Sequence, residues 1–120
     1  MAPAVVAVIA FFLLMGLVAL ATPERISVIH GTPVLTPVGR NEIRAVYGGF
    51  GVAIAALLAV SWSSPVLRPG AFVAVAVALA GMAAGRVVAA LIERPTRFYP
   101  SWFYFLVETA MASVLWWFGA

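Results

Sequence analysis

Two ionisable residues stand where so apolar a chain offers no water: Arg86, in the run from Gly70 to Ile92, and Glu108, in the run from Ser101 to Phe118. An ionised side chain inside a membrane span costs at least ~2.5 to 3.5 kcal/mol on insertion scales, so each needs a partner or a task. Counted inward from the connection that joins the two runs, both lie at ~10 Å depth at 1.5 Å per residue, so they can meet. A helical phase of ~100° per residue puts Met82, Arg86, Ala90 and Glu93 on one face, and Ser101, Tyr104, Glu108 and Ala112 on one face of the next helix. A third polar face, centred on Arg44, holds Arg40, Asn41 and Tyr47, with Gly48, Gly51 and Ala55 deeper along it. Three helices can therefore pool Asn41, Arg44, Tyr47, Arg86, Tyr104 and Glu108 into one polar cluster.

The charges in that cluster do not balance. Two guanidiniums, Arg44 and Arg86, face one deep carboxylate, because Glu42 lies roughly 160° around the helix from Arg44. A planar guanidinium fork suits phosphate or carboxylate, so the expected ligand is an anionic lipid or other amphiphile, with Gly48 and Gly51 leaving room for its acyl chain. A quinone-like amphiphile or the polar group of a partner membrane protein would satisfy the same cation. The plainer alternative is adhesion, with Glu108 accepting from Arg86 and the tyrosines satisfying the rest, since interhelical polar pairs contribute around 1 kcal/mol each.

Other chemistries lack their residues. There is no nucleophile–base pair, no pair of catalytic carboxylates and no Gly-rich phosphate loop, so an enzyme is not expected. The chain has no cysteine and a single histidine, His30, which argues against a metal site, and no cofactor is implied. The net charge of +3 comes from seven arginines against four glutamates. These arginines are scattered along membrane-flanking segments without a recognition helix or aromatic platform, which excludes nucleic acid as the partner.

The elements that position these residues follow from composition. With 65% hydrophobic and 9% charged residues and a mean hydropathy of +1.12, the chain is predicted to be an all-α integral membrane four-helix bundle. At roughly 20 residues per span, four helices take up about two thirds of the 120 residues and leave no room for a soluble domain. The spans are expected at about 4–21, 37–60, 70–92 and 101–118. Ala19-Leu20-Ala21 resembles a signal-peptide cleavage site, but the first run lacks a basic flank and is longer than the usual apolar core of about 7 to 15 residues, so it is read as a retained helix.

Thr22-Pro23-Glu24 and Thr36-Pro37 are helix-start signals, an N-cap followed by a first-turn proline. The first predicts a short interfacial helix ending near Gly31, in a loop whose Ile26, Val28, Ile29, Val34 and Leu35 are too apolar for a solvated connector. From Pro37 to Val60 nothing is expected to break the second span. Arg25, Arg40, Arg44, Arg94 and Arg97 flank one side and Arg68 alone the other, so loops one and three are placed in the cytoplasm and both termini outside. Tyr99, Trp102 and Tyr104 mark one interface, with Trp116 and Trp117 ~20 Å away at the other. Gly81-Met82-Ala83-Ala84-Gly85 is a G-x-x-x-G stretch, expected to pack internally rather than to form a homo-oligomer.

Gly39-Arg40-Asn41-Glu42-Ile43-Arg44-Ala45-Val46-Tyr47-Gly48-Gly49 resembles the signature of an uncharacterised family of short bacterial four-helix membrane proteins, a domain of unknown function. The likeness extends to Gly16 in the first helix, the Gly85-Arg86 pair and the single glutamate, Glu108, of the last helix. It implies a bacterial inner-membrane location, an architecture and important positions, and names no substrate. In layout alone the chain is similar to DoxX-type proteins. A small proton-coupled transporter of the small multidrug exporter type has the same length and helix count. Its membrane glutamate, however, belongs to the first helix and has no arginine neighbour, whereas here helix one is uncharged and Glu108 faces Arg86.

Overall fold

The computed structural model describes residues 1–32, 36–93 and 98–120. Val34 and Leu35 of the first connection, and Arg94 and Arg97 of the third, lie outside them. The described residues are helical and contain no strand. They divide into two compact units, Met1–Trp62 and Ser63–Ala120.

In the first unit, α1 (Pro3–Ala21) opens on a proline, whose missing N–H is no loss in a first turn, and carries no charge. Its 19 residues make a rod of ~28 Å at 1.5 Å per residue, the thickness of a hydrocarbon core. The last turn is closed at Thr22, whose backbone N–H and Oγ1 both donate to the Val18 carbonyl, at 2.7 Å and 3.1 Å. The expected short helix follows as α2 (Pro23–Ile29), though the Thr22 hydroxyl turns back to α1 instead of capping α2. Gly31, at φ 72°, ends α2. Its N–H bonds Val28 and that of Thr32 bonds Ser27, a left-handed closure that glycine adopts without a Cβ penalty.

Next comes α3 (Pro37–Ile43), capped by Thr36 Oγ1 accepting from the Gly39 N–H at 3.0 Å. It does not continue as a regular helix. Arg44–Gly49 forms a π-helical segment, and α4 (Phe50–Ser61) resumes the α geometry. Thus Pro37–Ser61 is one continuous rod of 25 residues with a widened turn at the motif.

This rod runs antiparallel to α1 and meets it at glycine. A Cβ on Gly16 would stand 2.8 Å from the Val52 nitrogen and 2.9 Å from the Gly48 carbonyl oxygen, and one on Gly51 would stand 3.0 Å from the Phe12 carbonyl oxygen. Those neighbours are backbone and cannot step aside, so the two helices touch main chain to main chain. The room expected beneath Gly48 and Gly51 for an acyl chain is filled by α1.

The second unit is an antiparallel hairpin of α5 (Leu67–Ile92) and α6 (Ser101–Gly119). Helix α5 starts three residues before the expected Gly70. Pro69 is tolerated in its first turn, and the Ser64 hydroxyl accepts the Leu67 N–H at 3.1 Å. Phe72, Val75, Ala76, Leu79 and Ala83 of α5 are buried, as are Tyr104, Glu108, Met111 and Leu115 of α6. Both sets recur at steps of three and four, the stripe that two packed helices share. Phe72 fills the space beside Gly119, where a Cβ would come within 2.5 Å of the Phe72 Cβ. Within this unit nothing lies within 4 Å of a Cβ built on Gly81 or Gly85, so the G-x-x-x-G stretch is not part of the α5–α6 contact.

Three helices among the described residues are long and apolar enough to cross a membrane: Pro3–Ala21, Pro37–Ser61 and Leu67–Ile92. Helix α6 matches α1 in length at 19 residues but is not among them, because Glu108 and the polar-edged rings of Trp102, Tyr104, Trp116 and Trp117 offset its aliphatic content.

Candidate functional site

In the second unit the expected ion pair forms. Arg86 Nε donates to Glu108 Oε1 at 2.6 Å and Nη2 to Oε2 at 3.0 Å, a bidentate fork. The Glu108 side chain is 4% exposed and that of Arg86 25%, so the carboxylate is fully desolvated while the cation keeps one open edge. The Arg86 guanidinium lies 5.5 Å from the centre of the Tyr104 ring, close enough for the ring face to favour the cation. Tyr104 in turn packs edge-on against Phe103 at 5.1 Å and tilted against Tyr99 at 6.0 Å. Arg86, Tyr104 and Glu108 are thus brought together, and their charges cancel.

In the first unit the other three candidates take different partners. Arg44 Nε donates to the Leu20 carbonyl at 3.0 Å, one of the last four carbonyls of α1, which have no partner within their own helix. A guanidinium there also faces the negative end of the helix dipole. The Tyr47 ring lies 5.3 Å from the His30 ring, and His30 Nδ1 sits 2.9 Å from the Ile26 carbonyl oxygen. Asn41 is exposed on α3. One turn before Arg44, Arg40 Nε stands 3.8 Å from Glu24 Oε1. Among the described residues no carboxylate bridges Arg44, so its positive charge is met by a carbonyl dipole alone.

Several of these contacts have no signal in the sequence. The partner of Arg44 is a main-chain atom, which no residue type announces. The His30–Tyr47 contact joins α2 to the widened turn of the motif, and helical phase counted at a constant angle does not find it. Arg68, the isolated arginine of the second connection, donates from Nε to the Phe118 carbonyl at 3.1 Å and lies 6.0 Å from the Phe72 ring centre. It therefore repeats at the end of α6 what Arg44 does at the end of α1. Ser27 Oγ is buried and has no hydrogen-bond partner among the described residues.

A groove of about 560 Å³ runs along the α5–α6 hairpin between alanines 76, 80, 83 and 84 on one side and Phe105, Thr109 and Trp116 on the other. The hydroxyls facing it are already used, Thr109 by the Phe105 carbonyl and Ser113 by the Thr109 carbonyl, both at 2.8 Å. None of the six predicted residues lines it. No group of three His, Cys, Asp or Glu side chains that could hold a metal ion occurs among the described residues.

No curated protein and no solved structure matches the chain. The sequence pattern described as Domain of unknown function (DUF4345) matches residues 3–118, a stretch that takes in both hairpins, the π-helical segment and both members of the ion pair. The chain belongs to the DUF4345 family.

Proposed function

We propose that the protein is a non-catalytic component of the bacterial inner membrane with four spans, α6 being the fourth, and that it binds an anionic lipid or amphiphile through Arg44, assisted by Asn41 and Tyr47. The observation that carries this is the unequal treatment of the Arg86 and Arg44 guanidiniums. Arg86 is neutralised by a bidentate carboxylate, whereas Arg44 has one nitrogen on a carbonyl and its two terminal nitrogens left for an anion. Arg86, Tyr104 and Glu108 then serve the second hairpin as structural glue. Loops one and three face the cytoplasm and both termini face outward. An accessory role toward a partner membrane protein would use the same cation.

The transporter reading draws less support. A proton-coupled exchanger of cationic drugs needs a carboxylate free to alternate between ligands, and Glu108 is held at both oxygens by Arg86. Native mass spectrometry of the protein extracted in its own lipids tests the proposal. Arg44→Gln is expected to lose retained anionic lipid while the helices stay folded, and Arg40→Gln to lose less. Unchanged lipid retention in Arg44→Gln would overturn it. Reporter fusions check the orientation, and a cytoplasmic signal from a C-terminal fusion would reverse it.

A further inference from the structure

On the reading that Arg44 receives an anion, we infer that Glu24 is a tethered stand-in for it: the Glu24 carboxylate occupies Arg40 until a phosphate group displaces it and bridges Arg40 and Arg44. The two arginines are four residues apart on one rod, close enough to repel each other. Facing them, also four residues apart, are the Leu20 carbonyl and the Glu24 carboxylate. These two contacts differ in kind. The Leu20 oxygen is main chain and accepts a full hydrogen bond at 3.0 Å. Glu24 touches Arg40 at one point, 3.8 Å away, beyond hydrogen-bond range, with side chains 60% and 35% exposed.

The backbone that carries Glu24 is nonetheless anchored. Pro23, Ile26 and Ser27 of α2 are buried, and His30 at its end lies against Tyr47 of the π-helical segment. Only the Glu24 side chain has to swing away. A carboxylate tethered beside Arg40 has a high effective concentration there, so an incoming monocarboxylate such as a fatty acid gains little by replacing it. A phosphate group gains more, because its oxygens can engage two forks where Glu24 engages one nitrogen. The arrangement therefore selects phosphate-bearing amphiphiles over fatty acids, and it keeps the Arg40 charge countered in the resting protein.

The test uses the full chain in nanodiscs of a phosphate-free neutral lipid, digalactosyldiacylglycerol, doped with phosphatidylglycerol or oleate, with retained lipid counted by native mass spectrometry. Glu24→Gln is expected to raise phosphatidylglycerol retention roughly 2- to 5-fold, the factor that an exposed ion pair is worth, and to raise oleate retention with it. Arg40→Gln should lower phosphatidylglycerol retention in the native background, by less than Arg44→Gln does, and should cancel the gain in Glu24→Gln. Glu42→Gln, which removes the same charge from another face of the rod, is the control for bulk electrostatics. Inorganic phosphate added to protein in digalactosyldiacylglycerol alone separates the sources of the group. Thermal protection by phosphate that strengthens in Glu24→Gln assigns a water-borne phosphate, while a response to phosphatidylglycerol only assigns a lipid headgroup. No gain in Glu24→Gln, an equal gain in Glu42→Gln, or a gain that survives Arg40→Gln would overturn the stand-in. If Arg44→Gln still abolishes retention in that case, the anion site stands and only the role of Glu24 falls.

Discussion

The two hairpins differ in what lies at the centre of the contact between their helices. In Met1–Trp62, α1 and the motif-bearing rod approach until Gly16, Gly48 and Gly51 put backbone against backbone, with no charged pair between the two helices. In Ser63–Ala120, α5 and α6 keep side chains between them and bury a carboxylate with its guanidinium. Within a bilayer lipid tails compete with any apolar contact, so helix association depends on close van der Waals fit or on polar bonds. The first hairpin rests mainly on fit, with the Arg44–Leu20 bond at its end, and the second adds a buried ion pair. In the first hairpin Arg44 meets a carbonyl and no carboxylate among the described residues, whereas in the second Arg86 is matched by Glu108 at both oxygens.

The sharpest way to break this contrast is in the second hairpin. Arg86→Ala and Glu108→Ala should each destabilise by about 3 to 5 kcal/mol, because each strands a desolvated charge. The double substitution should cost less than the sum, and strict additivity in a detergent melting series would show that the pair does not act as one. In the first hairpin, Gly16→Leu should cost about 1 to 3 kcal/mol or more through overpacking. A wild-type melting temperature in that variant would mean that the backbones are not in contact.

Smaller effects sharpen the comparison further. Arg68→Ala removes a cation from the carbonyl end of α6 and should cost about 0.3 to 1 kcal/mol, the usual value of such a contact. A lysine in its place should restore part of this, and failure of rescue would assign the loss to packing on Phe72. Gly81→Ala and Gly85→Ala are expected to change stability by no more than about 0.5 to 1 kcal/mol, toward greater stability, since a Cβ there meets nothing and alanine favours the helix. A marked loss in either would reveal a helix seated on that face.

What the sequence disclosed tracks the same division. The Arg86–Glu108 pair was legible because α5 and α6 are regular, so depth at a constant rise and phase at a constant angle both hold. The uncharged α1 and the short α2 were legible too, from an unbroken apolar run and from Thr22-Pro23-Glu24. The first hairpin hid more. Six residues of π geometry, Arg44–Gly49, break the constant angle where Arg44 and Tyr47 sit. Small residues at 48 and 51 announce a close approach but not its occupant, so a lipid tail was as compatible with them as α1, which is what lies there. Arg68, alone on its side by the charge count, has a partner that is a carbonyl 50 residues away in sequence.

The π-helical segment also bears on how the chain tolerates changes of length. A π turn holds one residue more than an α turn on the same span of axis, so Arg44–Gly49 behaves as an α-helical stretch that has absorbed an insertion. Removing one residue there, Ala45 or Val46 for example, would let the rod close into unbroken α geometry. The faces of α3 and α4 would keep their aim, with Gly51 still set against Phe12 and Gly16. The residues within the segment would rotate, and Arg44 and Tyr47 would leave the Leu20 carbonyl and the His30 ring. Anywhere else in the rod the same deletion would turn every following side chain by ~100°. The stretch that carries the motif is thus the one place where this helix can lose a residue and still dock.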